Sequence, residues 1–225
     1  MIIDKKDCVS TPPYNKGFTL AEVLITLVII GVVAALTVPT MIAKYHEQQT
    51  VTKVKKFQST ISSALYRAIA ENGTVDTWDY EGGADDTPVK LVEYFKPYLN
   101  IMKDCGAEYG CFYDGDLISL NGTGNNGNYD KYTDYYKLIL NDGTTMAIRG
   151  DHRTEHCKNN SECGAILVDI NGKNKPNIIG KDVFEFAIYK DKIGTHTSDS
   201  CKLTGSGWNC AKHILLYENM NYPAN

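Results

Sequence analysis

Basic residues are in short supply: 23 Lys and Arg stand against 27 Asp and Glu over 225 residues, a formal net charge of −4. The shortage deepens after Asn72, where 15 basic residues face 22 acidic ones. Sites that grip nucleic acid by its phosphates need basic surface, so DNA and RNA are not expected partners. A nucleophile with a base placed to activate it is also missing, which argues against a membrane-anchored enzyme. No internal repeat is visible beyond the spacing of the cysteines. With 22% charged and 43% hydrophobic residues, disorder is excluded, and one globular domain with an appendage is the expectation.

Charge all but vanishes between Phe18 and Ala43, where Glu22 is the single ionisable side chain. At ~1.5 Å per residue, these roughly 26 residues more than cross a hydrocarbon core of roughly 30 Å. A secretory signal has a shorter core, roughly 7–15 residues, and ends in a small-residue cleavage site. No such site follows here; Thr37-Val38-Pro39-Thr40-Met41 leads straight into a polar helical pattern. The missing polar face argues against a buried core helix, which leaves a membrane span. A carboxylate in lipid costs on the order of 2.5–3.5 kcal/mol on insertion scales, so Glu22 calls for a functional partner.

Charge does not orient the span, because Lys5, Lys6 and Lys16 before it nearly balance Lys44, Lys53, Lys55 and Lys56 after it. Cysteine does. Cys8 stands alone before the span, while Cys105, Cys111, Cys157, Cys163, Cys201 and Cys210 form three close pairs beyond it. An even number in a loop-rich domain implies a disulfide framework in an oxidising compartment. The domain is therefore expected outside the cytoplasm and the leader inside. Six cysteines allow 15 connectivities; local pairing is expected, Cys105 with Cys111, Cys157 with Cys163 and Cys201 with Cys210.

Val51, Val54, Phe57, Ile61, Leu65, Ala68 and Ile69 recur at helical spacing and mark one apolar face. Only Gly31 and Pro39 interrupt the stretch from Phe18 to Glu71, so one helix is predicted, weakened or kinked at Pro39 and stopped at Asn72-Gly73. Beyond it, residues 89–99 predict a short helix broken at Pro97. Tyr136–Leu140 and Thr144–Ile148 flank an Asp-Gly turn and predict a hairpin. Ala165–Asp169 and Val183–Tyr189 read as strands, and Cys210–Leu216 as a last helix or strand. The expected organisation is α+β: a leader over 1–17, a membrane-spanning half-helix over 18–43, an amphipathic half over 44–72, and a disulfide-rich antiparallel β domain over 73–225.

The segment KGFTLAEVLITLVIIGVVAALTVP resembles the N-terminus of type IV pilin-like proteins, the pilins and the pseudopilins of type II secretion. Gly17, Phe18, Thr19, Leu20 and Glu22 fit the processing motif, and Pro39 falls at the family's usual proline. The resemblance implies cleavage after Gly17 and N-methylation of Phe18 by a prepilin peptidase/methylase. It implies storage as a single-pass inner-membrane protein with its N-terminus cytoplasmic. An inner-membrane platform would then assemble it with other pilin-like subunits into a helical filament. Glu22 becomes the fifth residue of the mature chain, and the new α-amino group of a neighbour's Phe18 is its natural partner, neutralising both charges and setting register. The implied function is a non-enzymatic subunit of a type II secretion pseudopilus or type IV pilus. The alternative is a minor or tip subunit that binds a surface, a substrate or DNA. A leader of 17 residues with two aspartates departs from the short leaders of many pilins.

Gly122, Gly124 and Gly127 spell G-x-G-x-x-G, but no helical stripe follows to receive a pyrophosphate, so a plain loop is expected. His152, His156, Cys157 and Cys163 lie together, yet C-x5-C is not zinc spacing and a disulfide fits better. Asp169, Asn171, Asn174 and Asp182 supply hard oxygen atoms in a turn-rich loop, a composition that would suit calcium, although an ordinary Asn-Gly turn is the favoured expectation. Tyrosines cluster from Tyr109 to Tyr136 and are expected mainly to pack.

Overall fold

The computed structural model describes residues 17–78, 87–150, 157, 162–196 and 201–224. It divides into two compact units, 1–45 and 46–225. Helix α1, Leu20–Asn72, contributes to both and carries Pro39 without interruption. It ends where Gly73, at φ +80°, turns left-handed and donates its N–H to Ile69 O at 2.9 Å, the geometry that glycine permits at a helix C-terminus.

The second unit is built on a strip of that helix. Val51, Val54, Phe57, Ile61, Ala64, Leu65 and Ala68 are buried, at the spacing the sequence predicts. They pack into one cluster with a six-stranded sheet whose strands are β1 Ile101–Gly106, β2 Tyr136–Leu140, β3 Thr145–Gly150, β4 Gly164–Asp169, β5 Val183–Ile188 and β6 Ile193–Gly194. The strands lie in chain order and every neighbour is antiparallel. The α+β expectation therefore holds. Each large apolar side chain removed from water contributes about 1.5–3 kcal/mol, so the strip dominates over the exposed ion pairs Lys55–Glu218 (2.7 Å) and Lys56–Asp142 (2.8 Å), which are worth at most about 1 kcal/mol each.

Side chains alternate across a strand, and this sheet is covered on both faces. Leu138, Met146, Ile148, Ile166, Val168, Phe184 and Phe186 join the α1 side. Ala147, Leu167 and Val183 join a second cluster with Phe112, Leu117, Tyr135 and Ile179. Helix α2, Thr87–Phe95, and a 3-10 turn at Lys96–Tyr98 match the predicted broken helix. Helix α3, Cys210–Tyr217, settles the last element as helical. The hairpin turn forms as expected, with Gly143 at φ +83° and Leu140 N–H donating to Thr144 O at 2.9 Å. Strands β1 and β6 are additional to the predicted set.

The outer cover is mostly irregular chain, held by polar side chains. Lys137 is fully buried and donates all three of its N–H groups to the carbonyls of Ala107 (2.9 Å), Asp130 (2.8 Å) and Tyr132 (2.8 Å). The Asp130 carboxylate accepts the N–H groups of Gly110, Cys111 and Phe112 at 2.7 to 3.2 Å. The disulfides join Cys105 to Cys111, Cys157 to Cys163 and Cys201 to Cys210, all three of them local.

At the far edge, His196 sits between two carboxylates, with Nδ1 2.7 Å from Glu162 Oε1 and Nε2 3.1 Å from Glu185 Oε2. The second contact is less well aligned for a hydrogen bond than the first, yet both carboxylates favour the charged ring. Glu185 above all, helped by Glu162, holds the imidazolium up at about 9 against the opposing effect of burial. Because the folded value exceeds the ordinary 6.5, the clamp's contribution is complete below about pH 6.5 and is lost as pH rises through about 9. His196→Gln should therefore lower the melting temperature at pH 6 and have little effect at pH 10, as read by thermal melts across that range.

Candidate functional site

Helix α1 starts at Leu20, two residues later than the Phe18 start the sequence suggested, because Thr19 acts as its cap. Glu22 Oε2 accepts both the N–H and the hydroxyl of Thr19 at 2.8 Å, and Glu22 N–H lies 3.3 Å from Thr19 Oγ1. This is a capping box, Thr-x-x-Glu, readable in the sequence as a helix-start signal. It gives Glu22 a local partner, so in the single subunit the carboxylate closes the helix end.

From Phe18, 88% exposed, through Ile42, the large apolar side chains of this segment are exposed, none below 44%. Among the described residues this is the one helix long and apolar enough to cross a membrane. The hydroxyls of Thr26, Thr37 and Thr40 turn back onto main-chain carbonyls three or four residues earlier, at 2.8 to 2.9 Å, which hides their polarity within the helix. Gly31 has no neighbour around its Cβ position. The residues expected to be processed, Gly17 and Phe18, lie just ahead of the capped helix. The rest of the leader falls outside the described residues.

The second place is the loop between β4 and β5. Asp169 is fully buried and Asp182 nearly so. Burial, and then the nearby charge of Asp182, push the Asp169 carboxyl up to about 8, and burial likewise raises Asp182. Asp182 accepts the N–H groups of Asn177 and Ile178 at 2.7 Å and the Asn171 amide at 3.1 Å. Asp169 accepts Asn171 N–H at 3.1 Å.

Three further oxygens belong to this cluster. Asn171 Oδ1 is buried with no donor. Thr145 Oγ1, on a side chain only 1% exposed, has no partner either, and Thr145 is the cross-strand neighbour of Asp169. Asn177, 2% exposed, has its amide against Asp169 Oδ2 and Asn174 O. With its nitrogen inward it donates to them at 3.1 and 3.2 Å, and with its oxygen inward it adds a third acceptor. Asn174 was expected to contribute its side chain. Instead that side chain is exposed and donates to Asn171 O at 2.7 Å, because the turn directs the Asn174 main-chain carbonyl inward. Sequence reasoning missed Thr145 and Asn177, the first visible only through strand register and the second only as one asparagine among several.

No group of three His, Cys, Asp or Glu side chains forms a metal cluster among the described residues. An ion in this loop would therefore rely on two carboxylates plus amide, hydroxyl and carbonyl oxygens, a donor set suited to calcium. The zinc alternative loses its thiolates, since Cys157 and Cys163 are bonded to each other, and its histidines, 152 and 156, lie outside the described residues. Gly122, Gly124 and Gly127 adopt φ of +76°, +81° and +83° in a loop that no helix follows.

A capped, exposed, apolar N-terminal helix that continues into the packing strip of an antiparallel α+β domain defines a pilin-like protein. Residues 13–38 match the prokaryotic N-terminal methylation motif, the signature of type IV pilins and pseudopilins. Over residues 40–225 the chain belongs to a family of unknown function, DUF6613. Comparison with curated proteins and with solved structures finds no match.

Proposed function

We propose that this chain is a non-enzymatic filament subunit of a type II secretion pseudopilus or a type IV pilus. On this reading it is made as a precursor, cut after Gly17 and methylated on Phe18 by a prepilin peptidase/methylase. It waits in the inner membrane as a single-pass protein, its N-terminus cytoplasmic and its domain periplasmic. Assembly then follows through α1. The observation that carries the reading is the apolar, exposed stretch of α1 over residues 20–43, which begins three residues beyond Gly17 and holds a single carboxylate, Glu22. Lipid covers that surface before assembly, and copies of the same helix cover it afterwards, with burial supplying cohesion. Docking would exchange the Thr19 contacts of Glu22 for a neighbour's Phe18 amine.

The mass of the mature N-terminus from the native host tests the reading. A chain that begins at methylated Phe18 is expected, and one that retains Met1 overturns it. Glu22→Leu should still insert in the membrane yet yield few or no sheared filaments; a normal filament yield removes the pairing role.

A divalent cation, calcium being the best fit, is the second element of the proposal, bound by Asp169, Asp182 and the oxygens of Thr145, Asn171, Asn174 and Asn177. Two buried carboxylates beside buried acceptors that lack donors support it, since unpaired buried charge is costly. Calcium at about a hundred times its dissociation constant would add about 2.7 kcal/mol. The full chain in detergent should then melt several degrees higher in millimolar calcium than in chelator, and Asp169→Asn should abolish the difference. Equal melting temperatures for the unsubstituted chain would end the calcium reading.

A further inference from the structure

Residues 170–182 touch three other described parts of the domain: the Asn/Gly loop, the chain at Gly110 and the C-terminal segment. Ile118 N–H donates to Asn177 O at 3.3 Å and Ile179 N–H donates to Ile118 O at 2.9 Å, tying in the Asn/Gly loop. Lys173 Nζ reaches Gly110 O at 2.7 Å. Tyr222 donates its hydroxyl to Gly180 O at 2.8 Å, which fixes the C-terminal segment. A Cβ on Gly207 would stand 2.3 Å from Ile179 O, so backbone is seated directly on backbone there. Leu120 N–H to Ser206 O (2.9 Å) and Asn121 N–H to Gly205 O (3.2 Å) then join the two covering segments to each other.

Asp182 sets the position of this hub. Its two oxygens hold the N–H groups of Asn177 and Ile178, the residues through which Ile118 is paired. The inner side of the sheet depends on the hub less: its side chains are held by apolar burial against α1, and Tyr222, which reaches the loop, is itself part of that cluster. Lys53 of α1 does meet the loop, at Ile170 O (3.2 Å), but through one main-chain carbonyl at the loop's edge.

We propose that a divalent cation held by Asp169 and Asp182 latches residues 117–127 and 205–208 onto the outer face of the sheet, so that the cation orders the displayed face and leaves the α1 core unchanged. This rests on the cation reading above. Fixing the Asp182 carboxylate fixes residues 177–179, and through them Ile118 and Gly207. The displayed face of a subunit exported into a calcium-containing medium would become rigid on arrival. Local opening free energies differ across a structure, and a loop with few buried apolar contacts is where ligand binding changes them most.

Hydrogen exchange read by mass spectrometry on the full chain in detergent, in calcium chloride and in chelator, tests this alongside calorimetric calcium titration. Amides over 117–127 and 205–210 should exchange about tenfold more slowly with calcium, while those of α1 from Val51 to Ala68 and of β2 and β3 stay unchanged. Thr145→Val, which removes one oxygen and none of the latch contacts, should weaken calcium binding and reduce that protection in parallel at limiting calcium. Calcium binding with protection confined to 169–182, or with uniform slowing through the core, overturns the latch and leaves the cation reading standing. No binding heat and no exchange difference overturn the cation reading itself.

Discussion

One strip of seven side chains on α1, from Val51 to Ala68, is the constraint on which the domain depends. A sheet in chain order, with every neighbour antiparallel, could form a meander without any helix, but it would leave Leu138, Ile166, Phe184 and their neighbours in water. The helix removes that surface, and its lysines and Glu47 only trim the fit, as when Met220 N–H donates to Glu47 Oε1 at 2.7 Å. The same helix carries no polar face over residues 18–43. One element thus meets two different environments, and the change in side-chain pattern near residue 45 marks where one requirement gives way to the other.

Covering the second face of the sheet is the harder physical problem. Among the described residues no helix or strand lies over Ala147, Leu167 and Val183; turns and loops do. Irregular chain leaves many main-chain groups without ladder partners, and each buried one must be satisfied. Lys137 and Asp130 do this as a complementary pair, one supplying three donors to carbonyls and the other accepting three amides. The disulfides shorten the loops that no core pins. Asp182 does for residues 177 and 178 what Asp130 does for residues 110–112, yet its neighbour Asp169 adds a second buried carboxyl, one whose ionisation burial and Asp182 both oppose.

The sequence made α1, the Asp-Gly hairpin and the central strands legible because each obeys a local rule: helical spacing, a turn residue at positive φ, a β-rich run. The edges were not legible. β1 is mostly exposed and slips register twice, between Ile101 and Lys103 and between Asp104 and Gly106, so no alternation survives in its sequence, and β6 is two residues long. Lys137 reads as a solvent-facing residue until the carbonyls of Ala107, Asp130 and Tyr132 arrive from distant chain. At the acidic loop, Asp169, Asn171 and Asp182 were readable from composition. Thr145 required the β3–β4 register, and the different roles of Asn174 and Asn177 required the course of the turn. The Thr19 cap on Glu22 was readable and was overshadowed by the apolar run around it.

Glu22 and Asp169 pose the same problem in opposite settings. Each is a carboxylate where charge is expensive, and a fold under no functional demand would replace either with a neutral side chain at little geometric cost. Glu22 lies in an apolar helix with its own cap as interim partner, so its cost falls further only when a stronger cationic group arrives from outside. Asp169 lies inside the domain, where one main-chain amide, that of Asn171, reaches it and burial beside Asp182 disfavours its ionised form. Hydrogen bonds alone settle neither site. Lys53 acts on Asp169 only from a distance, and the proposed suppliers of further positive charge differ in kind: a subunit's amine for the first and a small cation for the second. Assembly and display would then be governed by separate electrostatic events at separate ends of the chain, which lets the same helix strip hold the domain together through both.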